Sequence, residues 1–559
     1  MNSEPQKTYP AVCNGEKQAS FARRSANYEP TSWSADTFIT HTVPFQKPKE
    51  WNEARIRKLK EQVREILGST TDPVEMVNLI DTIEHLGIGY HFKREIHDAL
   101  SHLHDANLIS WDLHHVATRF RLLRQHGFCA SSDVFLNFKD DQGNFDENIS
   151  KDPKGLLSLY NAGYLATPGE EILADAISFA RGHLSLMVDD LRSPLKKQVL
   201  RALKTPLHKM LTRVEARFYI EEYDEEENRN EILLELAKLD FNTLQSLHLE
   251  EMKILSLWWK NLNIGENLKY ARERLLECYL IWALGQYFEA EYTRARKMNS
   301  KLYALATVVD DTFDVYGTYE ECKLLNDAIQ RQVINFTSVD LLPMYLRNLC
   351  HQFIKTINNF EDELEPSEKY RMTYIVKSVQ TLIAGYMQEV EWRVGGYTPS
   401  FNERKTTALD GNITSFVVGF PFLGVPRELI TKEVFQWLNA VPDVAVDSMR
   451  IMRYIDEFVG HERESKCEQG PTTFDCYKME HKLTDEATTM KFQSFCEDAW
   501  KRINQACLLP ADGPMTVLEI FVNWGRTMET FYLYINDGFS KSSNTKKIIS
   551  QLLLEPFSL

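Results

Sequence analysis

Three carboxylates crowd the end of one apolar helix near the middle of the chain. Upstream of them, apolar residues recur at three- and four-residue spacing, which predicts an α-helix that ends before Gly317. Asp310, Asp311 and Asp314 fall in its last turns, where the helix dipole and mutual repulsion disfavour anions. A Mg²⁺ ion that keeps waters and shares phosphate oxygens would offset that charge. The alternative is a solvated acidic helix end, but the uncharged run 304–309 favours a lined cavity.

The composition describes an ordered globular protein and excludes several partners. Hydrophobic residues make up 43% of the 559 residues, and no apolar run is long enough to span a bilayer. The formal charge of −16 argues against nucleic acid. The nine cysteines form no CxxC pair, so we expect reduced thiols and no zinc site. Residues 1–22 lack the pattern of a signal or transit peptide, which predicts a cytoplasmic protein.

Helical periodicity dominates the whole chain, and no segment shows a sustained strand alternation, so the predicted fold class is all-α with two helical domains. Asp72 and Pro73 predict a helix start, and Gly87 its end. The acidic run 221–227 predicts a solvated junction between domains. We therefore expect an N-terminal arm at 1–33, a helical domain at 34–228 and a second one at 229–559.

Three other acidic clusters are predicted to be solvated turns and not sites. Asp140-Asp141 lies beside a glycine, and Asp189-Asp190 and Glu361–Glu365 each lie close to a proline. None is embedded in an apolar helix, which distinguishes them from the central cluster.

A second acidic helix is predicted around residues 449–464. Asp456, Gly460 and Glu464 are spaced by four, so they share one helical face, with Arg453 one turn earlier. Alone, this pattern also fits an ordinary surface helix. Facing the first cluster, it could help clamp a metal cluster against a diphosphate.

Arginines that could neutralise a diphosphate accompany both clusters. Arg272 and Arg274 begin an apolar helix, and Arg453 lies beside the second cluster. The planar guanidinium suits phosphate because it donates two parallel hydrogen bonds.

These motifs together resemble those of plant terpene synthases of the class that ionises the diphosphate, in the sesquiterpene branch. Arg23-Arg24 followed by Trp33, the Arg272–Arg274 motif, the Asp310–Asp314 motif and the stretch 456–464 stand in family order and spacing. The resemblance covers nearly the whole chain. It implies an N-terminal helical barrel joined to a C-terminal catalytic helical bundle.

The resemblance also implies the cofactors and their ligands. Three Mg²⁺ ions, for which Mn²⁺ could substitute, would be held by Asp310, Asp314, Asp456 and Glu464. Asp311 belongs to the catalytic motif and would position these ligands without binding a metal ion itself. Arg272, Arg274 and Arg453 would hold the diphosphate, with Lys466 close to the second motif.

Walls for a carbocation are implied by the same resemblance. Aromatic faces stabilise a cation without trapping it, and Trp282, Phe416 and Tyr532 are the candidates, each of which could instead be a core aromatic. Thr414 ends a segment that matches the helix break of the family's pocket wall. Asp537 lies in residues 533–546, which would form a lid that excludes water.

The function implied is cyclisation of farnesyl diphosphate to a sesquiterpene hydrocarbon or alcohol by a monomeric lyase, with release of diphosphate. A chain-elongating prenyltransferase would need a second DDxxD, and a protonation-initiated cyclase a DxDD; neither is present. Two alternatives remain: a synthase that uses geranyl diphosphate, and a catalytically impaired relative that binds isoprenoid or acts as a helical scaffold.

The sequence departs from the family pattern at several positions. In the second motif, Glu457 replaces the usual aspartate and Gly460 a residue with a hydroxyl, and Cys467 follows where a basic residue is common. The run Tyr279–Trp282 is one residue longer than the pattern, and Phe539 replaces a tyrosine of the lid.

Overall fold

The structure, a computed structural model, describes residues 23, 28–41, 48–105, 111–331, 336–464, 470–509 and 513–559. Throughout these ranges the chain is built from helices, and the only β-type pairing is an isolated bridge between Lys139 and Phe145. The predicted all-α class with two helical domains is confirmed. None of the helices in the described ranges combines the length and apolar character needed to cross a bilayer.

The N-terminal half contains nine α-helices among the described residues. Their bounds are α1 Ala35–Thr40, α2 Lys49–Ser69, α3 Pro73–His85, α4 Lys93–His104, α5 Leu113–Gln125, α6 Pro153–Gly163, α7 Glu171–Met187, α8 Leu195–Lys204 and α9 Thr212–Asp224. Helix α3 begins as predicted, because the Asp72 carboxylate accepts hydrogen bonds from the backbone N–H groups of Val74 and Glu75, both at 2.9 Å. Gly87, with a φ of +72°, follows its end.

The C-terminal half contains longer helices. Their bounds are α10 Glu231–Leu262, α11 Ile264–Asn267, α12 Leu275–Glu277, α13 Thr293–Asp311, α14 Tyr319–Arg331, α15 Met344–Glu363, α16 Arg371–Gly395, α17 Phe401–Thr406, α18 Lys432–Asn439, α19 Asp443–Glu464, α20 Thr473–His481, α21 Asp485–Ala506, α22 Met515–Met528 and α23 Ser542–Ile549. Helix α13 carries the central aspartates and is buried on almost every face, so it forms the centre of this bundle.

Several helices continue into π-helical turns, which hold one extra residue per turn. The π segments are Cys278–Leu284, Thr312–Tyr316, Thr407–Ile413, Ser415–Gly419, Glu529–Tyr534 and Ser550–Leu554. Short 3₁₀ turns are Gly89–His91, Ser132–Phe138, Glu147–Lys151, Val188–Asp190, Leu207–Lys209, Ala290–Tyr292, Phe336–Leu341 and Phe420–Phe422.

The acidic run 221–227 is only partly the solvated junction that the sequence predicted. Its first residues belong to α9, and the Glu222 side chain is buried against Arg201, with which it forms an ion pair. The link between α9 and α10 is limited to residues 225–230. The expected boundary at 228 remains a prediction.

Buried polar contacts join the two halves. The Lys209 ammonium lies 3.2 Å from the Glu529 carboxylate, and both side chains are buried. The Asn504 side-chain amide donates to the carbonyls of Tyr164 and Ala166 at 3.0 and 2.9 Å. These contacts fix the N-terminal helices against α21 and the end of α22.

Candidate active site

The carboxylates at the end of α13 open onto a cavity of the C-terminal bundle. Asp310 and Asp314 line it, and the Asp310 side chain is 27% exposed. Asp311 is fully buried behind them. The helix passes into a π turn at Thr312 and ends at Tyr316, before Gly317 as predicted. The expected lined cavity, and not a solvated helix end, is therefore what the structure contains.

Arg272 holds two of these carboxylates. Its Nη2 donates to Asp310 at 2.8 Å and its Nε to Asp311 at 2.7 Å. The backbone N–H of Arg272 also donates to Asp311, at 2.6 Å. Because both oxygens of Asp311 accept from Arg272 and the side chain has no exposure, Asp311 positions the arginine and is not available as a ligand to a substrate.

The carboxylates at this wall are costly to ionise without a cation. Burial raises the pKa of Asp310 to about 7, against the opposing charge of Arg272. Burial and the neighbouring charge of Asp310 raise the pKa of Asp314 well above its usual range. A site that holds two such groups facing one cavity stabilises bound cations.

The second wall of the cavity is α19, as the sequence predicted. Asp456 lines the cavity with a 31% exposed side chain, and the Arg453 guanidinium lies 3.7 Å from its carboxylate. Glu457, the next residue along the helix, is fully buried and accepts from Arg453 Nε at 2.7 Å. It also accepts from the backbone N–H groups of Thr473 and Phe474, both at 3.1 Å.

These contacts explain the departure at Glu457. Burial alone would raise the pKa of its carboxyl, but Arg453 and the backbone donors lower it to about 2. The longer side chain anchors Arg453 to the start of α20. Gly460 is buried on the same helix. The Glu464 side chain and Lys466 lie outside the described residues, so their roles remain predictions.

Aromatic side chains cover the cavity between the two acidic walls. Trp282, Phe416 and Tyr532 all line it, as expected. Trp282 stacks on Trp524 with ring centroids 5.4 Å apart and lies 6.2 Å from Tyr532. The π turn Cys278–Leu284 absorbs the extra residue of this run and lets Trp282 face the cavity.

Each of five π turns supplies one residue to this cavity. The five residues are Trp282, Asp314, Ile413, Phe416 and Tyr532. Widened turns are frequent at functional sites because the extra residue redirects neighbouring side chains. The sequence patterns gave no indication of this arrangement.

Thr414 is not among the residues that line the cavity, and its contact with substrate remains a prediction. Its hydroxyl donates to the Leu409 carbonyl at 2.6 Å, and that carbonyl also accepts the backbone N–H of Thr414. The neighbours Ile413 and Phe416 face the cavity in its place.

Arg274 is not among the residues that line the cavity, and its contact with the diphosphate remains a prediction. It is buried, and its guanidinium donates to the carbonyls of Phe539 and Ser540 at 2.8 and 3.0 Å. It donates to the carbonyl of Glu29 as well, at 2.6 Å. Arg274 thus ties the predicted lid to the N-terminal arm.

The predicted lid covers one side of the cavity, with Phe539 and Ser540 among the lining residues. Asp537 is buried, has a φ of +53°, and accepts from the Ser540 backbone N–H at 3.0 Å. Its carboxylate lies 3.9 Å from Arg463 of α19. Asp537 therefore closes the lid against α19 and does not itself line the cavity.

The N-terminal arm also contributes to the lining of the active-site cavity. Arg23 forms an ion pair with Glu321 at 2.8 Å and lies 4.4 Å from the centre of the Tyr316 ring. Tyr28 lines the cavity, hydrogen-bonds to Asp311, and has its ring 4.5 Å from the Arg272 guanidinium. Arg24 lies outside the described residues.

Other cavity residues were missed from the sequence. Tyr386 and Glu389 come from α16, and Tyr386 hydrogen-bonds to Asp310. Arg404 pairs with Glu389 at 2.9 Å, and Arg463 lies on α19. The three-residue spacing of Tyr386 and Glu389 indicates a shared face, but only the tertiary fold shows that this face meets Asp310.

The arrangement of carboxylates and arginines suits hard cations, such as Mg²⁺, that take some of their ligands from water or substrate. In the described part of the chain, no group of three or more acidic, histidine or cysteine side chains could hold an ion by itself. Two opposed carboxylate walls with arginines between them instead fit ions that complete their coordination with water and phosphate oxygens. Such a fold and site define a helical enzyme for an anionic substrate with an apolar body.

Comparison with known proteins gives the family. Residues 32–203 match the terpene synthase N-terminal domain, and residues 260–502 match the metal-binding domain of the terpene synthase family. α-Humulene synthase of Zingiber zerumbet is 38% identical over 96% of this chain and 97% of its own. The chain belongs to the terpene synthase family. Further plant relatives at 36–39% identity are sesquiterpene synthases.

Solved structures agree with this assignment. A limonene synthase crystallised with 2-fluorolinalyl diphosphate superposes with a TM-score of 0.89 at 29% identity, covering 96% of this chain and all of that one. The isoprene synthase of grey poplar, solved with three Mg²⁺ ions and dimethylallyl-S-thiolodiphosphate, gives 0.84 at 30% identity over 94% and 99%. As a terpene synthase, the protein uses divalent metal and an isoprenyl diphosphate substrate.

Proposed function

We propose that this protein is a Mg²⁺-dependent sesquiterpene synthase that ionises farnesyl diphosphate and cyclises the resulting cation. The observation that carries the proposal is one cavity with two opposed acidic walls and an aromatic lining. The names of the relatives support the fifteen-carbon substrate. The product is a hydrocarbon or an alcohol, according to whether the final cation loses a proton or takes up water.

Asp310, Asp314 and Asp456 would hold the ions, together with Glu464 of the second motif. When bound, Mg²⁺ would act as a Lewis acid that neutralises the diphosphate as it departs. Asp311 holds the Arg272 guanidinium at the cavity by a hydrogen bond, and Glu457 holds the Arg453 guanidinium in the same way. These two preorganised arginines stabilise the negative charge that develops on the leaving oxygen.

The apolar end of the substrate would lie against Trp282, Phe416 and Tyr532. When the C–O bond breaks, its electron pair leaves with the diphosphate and the allylic fragment becomes cationic. Aromatic faces stabilise that cation and offer no lone pair to trap it. The lid and the N-terminal arm keep water from the cation until cyclisation is complete.

The test is incubation of the purified protein with Mg²⁺ and farnesyl diphosphate, followed by gas chromatography of the volatile products. Asp310→Ala and Asp314→Ala should remove nearly all turnover. Asp189→Ala is the matched control, because Asp189 is 96% exposed in a surface turn. Wild-type turnover by Asp310→Ala would overturn the assignment of the first wall.

The same assay with geranyl and geranylgeranyl diphosphates decides the substrate length. We expect the highest kcat/KM with farnesyl diphosphate. A preference for the ten-carbon substrate would favour the alternative synthase, and no product from any of them would favour the impaired relative. A cytoplasmic location and a monomeric state belong to the same proposal; a C-terminal fluorescent fusion and sedimentation measure them.

A further inference from the structure

Arg404 is a buried arginine that lines the active-site cavity but belongs neither to the acidic motifs nor to the arginine motifs of the sequence. The residue is 8% exposed. It lies on the short helix α17, one turn before the π segment Thr407–Ile413. That segment supplies Ile413 to the cavity lining, so Arg404 lies where this part of the wall begins.

Helix α17 is fixed at its start, which defines the place of Arg404. The Ser400 hydroxyl accepts from the Glu403 backbone N–H at 3.2 Å, and the Glu403 carboxylate accepts from the Ser400 backbone N–H at 2.9 Å. This reciprocal capping satisfies two donors at the helix start. The Phe401 ring packs against the Tyr477 ring of α20, with centroids 4.9 Å apart. Arg404 is therefore presented to the cavity by an anchored helical turn.

Two residues of α16 hold the Arg404 guanidinium. Its Nη1 lies 2.9 Å from the Glu389 carboxylate. Its Cζ lies 5.9 Å from the centre of the Trp392 ring. Glu389 and Trp392 are three residues apart and so share one face of the helix. Because these contacts preorganise the guanidinium, it loses less conformational entropy when it binds a ligand.

One donor of this guanidinium has no acceptor. The Nε of Arg404 is buried and, among the residues that the structure describes, makes no hydrogen bond. The arginines of the two motifs differ in this respect, since Arg272 Nε donates to Asp311 and Arg453 Nε donates to Glu457. A buried donor without an acceptor is costly, and an oxygen of a bound ligand would remove that cost.

Arg404 lines the same cavity as both acidic walls and has a link to each of them. The α16 face that holds it also carries Tyr386, which hydrogen-bonds to Asp310 of the first wall. On the second wall, burial raises the pKa of Glu457, whereas the charges of Arg453 and Arg404 lower it. A diphosphate bound to metal ions between these walls therefore lies beside Arg404.

We propose that Arg404 is a diphosphate-binding residue of the active site. Its Nε and Nη2 form one edge of the guanidinium and donate two parallel hydrogen bonds to a phosphate group, while Nη1 keeps the ion pair with Glu389. The contact stabilises the negative charge that develops on the leaving diphosphate. This proposal rests on the proposed function for its ligand, an isoprenyl diphosphate, but not for the length of the isoprenoid chain.

Calorimetric titration of the full-length protein with inorganic pyrophosphate and Mg²⁺ measures the contact without turnover. Arg404→Gln should bind pyrophosphate about tenfold or more weakly than the wild type, because charge-assisted hydrogen bonds are lost. Arg404→Lys keeps the charge but not the planar fork and should lie between the two. Arg427→Gln, which changes an exposed arginine, is the matched control and should bind like the wild type.

A second substitution separates direct binding from mere neutralisation of Glu389. If Arg404 only compensated that carboxylate, its loss would have no effect in the Glu389→Gln background. We expect Arg404→Gln to weaken pyrophosphate binding by about the same factor in both backgrounds. Thermal melting checks the fold of each variant. If Arg404→Gln does not fold alone, the comparison within the Glu389→Gln background decides, because no buried carboxylate is then left unpaired.

Steady-state kinetics connect the contact to the reaction. Arg404→Gln should lower kcat/KM for farnesyl diphosphate about tenfold or more, in line with its loss of pyrophosphate binding. Unchanged pyrophosphate binding by Arg404→Gln, or an effect that disappears in the Glu389→Gln background, would overturn this proposal alone. A wild-type protein that binds no pyrophosphate with Mg²⁺ would overturn the proposed function together with it.

Discussion

At the scale of single residues, Tyr28 connects the N-terminal arm to the acidic wall. Its hydroxyl hydrogen-bonds to Asp311 and its ring covers Arg272. Tyr28→Phe keeps the ring and removes one hydrogen bond worth about 0.5–1.5 kcal/mol. We expect kcat/KM for farnesyl diphosphate to fall about two- to tenfold, mainly through kcat. Steady-state kinetics measure it, and Tyr374→Phe, distant from the cavity, should behave like the wild type.

Gly460 poses a different question, because glycine offers no side-chain ligand between Asp456 and Glu464. A water in that coordination position would cost roughly 0–2 kcal/mol of immobilisation. Gly460→Ser should therefore lower the Mg²⁺ concentration for half-maximal rate, whereas Glu464→Gln should nearly abolish activity. Titration of both variants with Mg²⁺ distinguishes them. If Glu464→Gln titrates like the wild type, α19 is not a metal-binding helix.

At the scale of elements, Arg274 donates to two backbone carbonyls of the lid and to one of the N-terminal arm, and so holds the lid in place. Arg274→Met should loosen residues 535–541, admit water and raise the proportion of alcohol among the products. Gas chromatography gives that ratio, and limited proteolysis should cut the variant faster within the lid. Arg427→Met is the matched control, since Arg427 is exposed and, among the residues that the structure describes, forms an ion pair with its neighbour Glu428 alone. An unchanged product ratio with a normal melting temperature would contradict this role.

Helix caps and periodicity predicted α3, α13 and α19, whereas the placement of Asp310, Asp314 and Asp456 on facing walls was implied only by the family resemblance. Periodicity failed where the partner comes from a distant element. Glu389 reaches the first wall from α16, and Arg274 turns towards the lid, because tertiary packing decides which face of a helix meets which neighbour. Thr414 lies beside the cavity wall and not on it, because the π turn before it changes the direction of the side chains that follow.

At the scale of the molecule, the two halves share a buried ion pair that no sequence pattern indicated. Lys209→Met would leave Glu529 buried without its cation, which costs about 3–5 kcal/mol. The melting temperature should fall accordingly, and a second substitution, Glu529→Leu, should recover part of the loss. Lys260→Met, which removes the exposed pair with Asp36, should change stability by about 1 kcal/mol or less.

The π turns around the active site affect how pockets can be compared between relatives. Each turn contains one residue more than an α-helix of the same length, so an aligned position beyond it corresponds to a different direction in space whenever a relative lacks that turn. Deleting a single residue from 278–284 would rotate the Trp282 side chain by about 100° about the helix axis. Changes of chain length by one residue, and not substitutions alone, are therefore a route by which such pockets acquire new shapes.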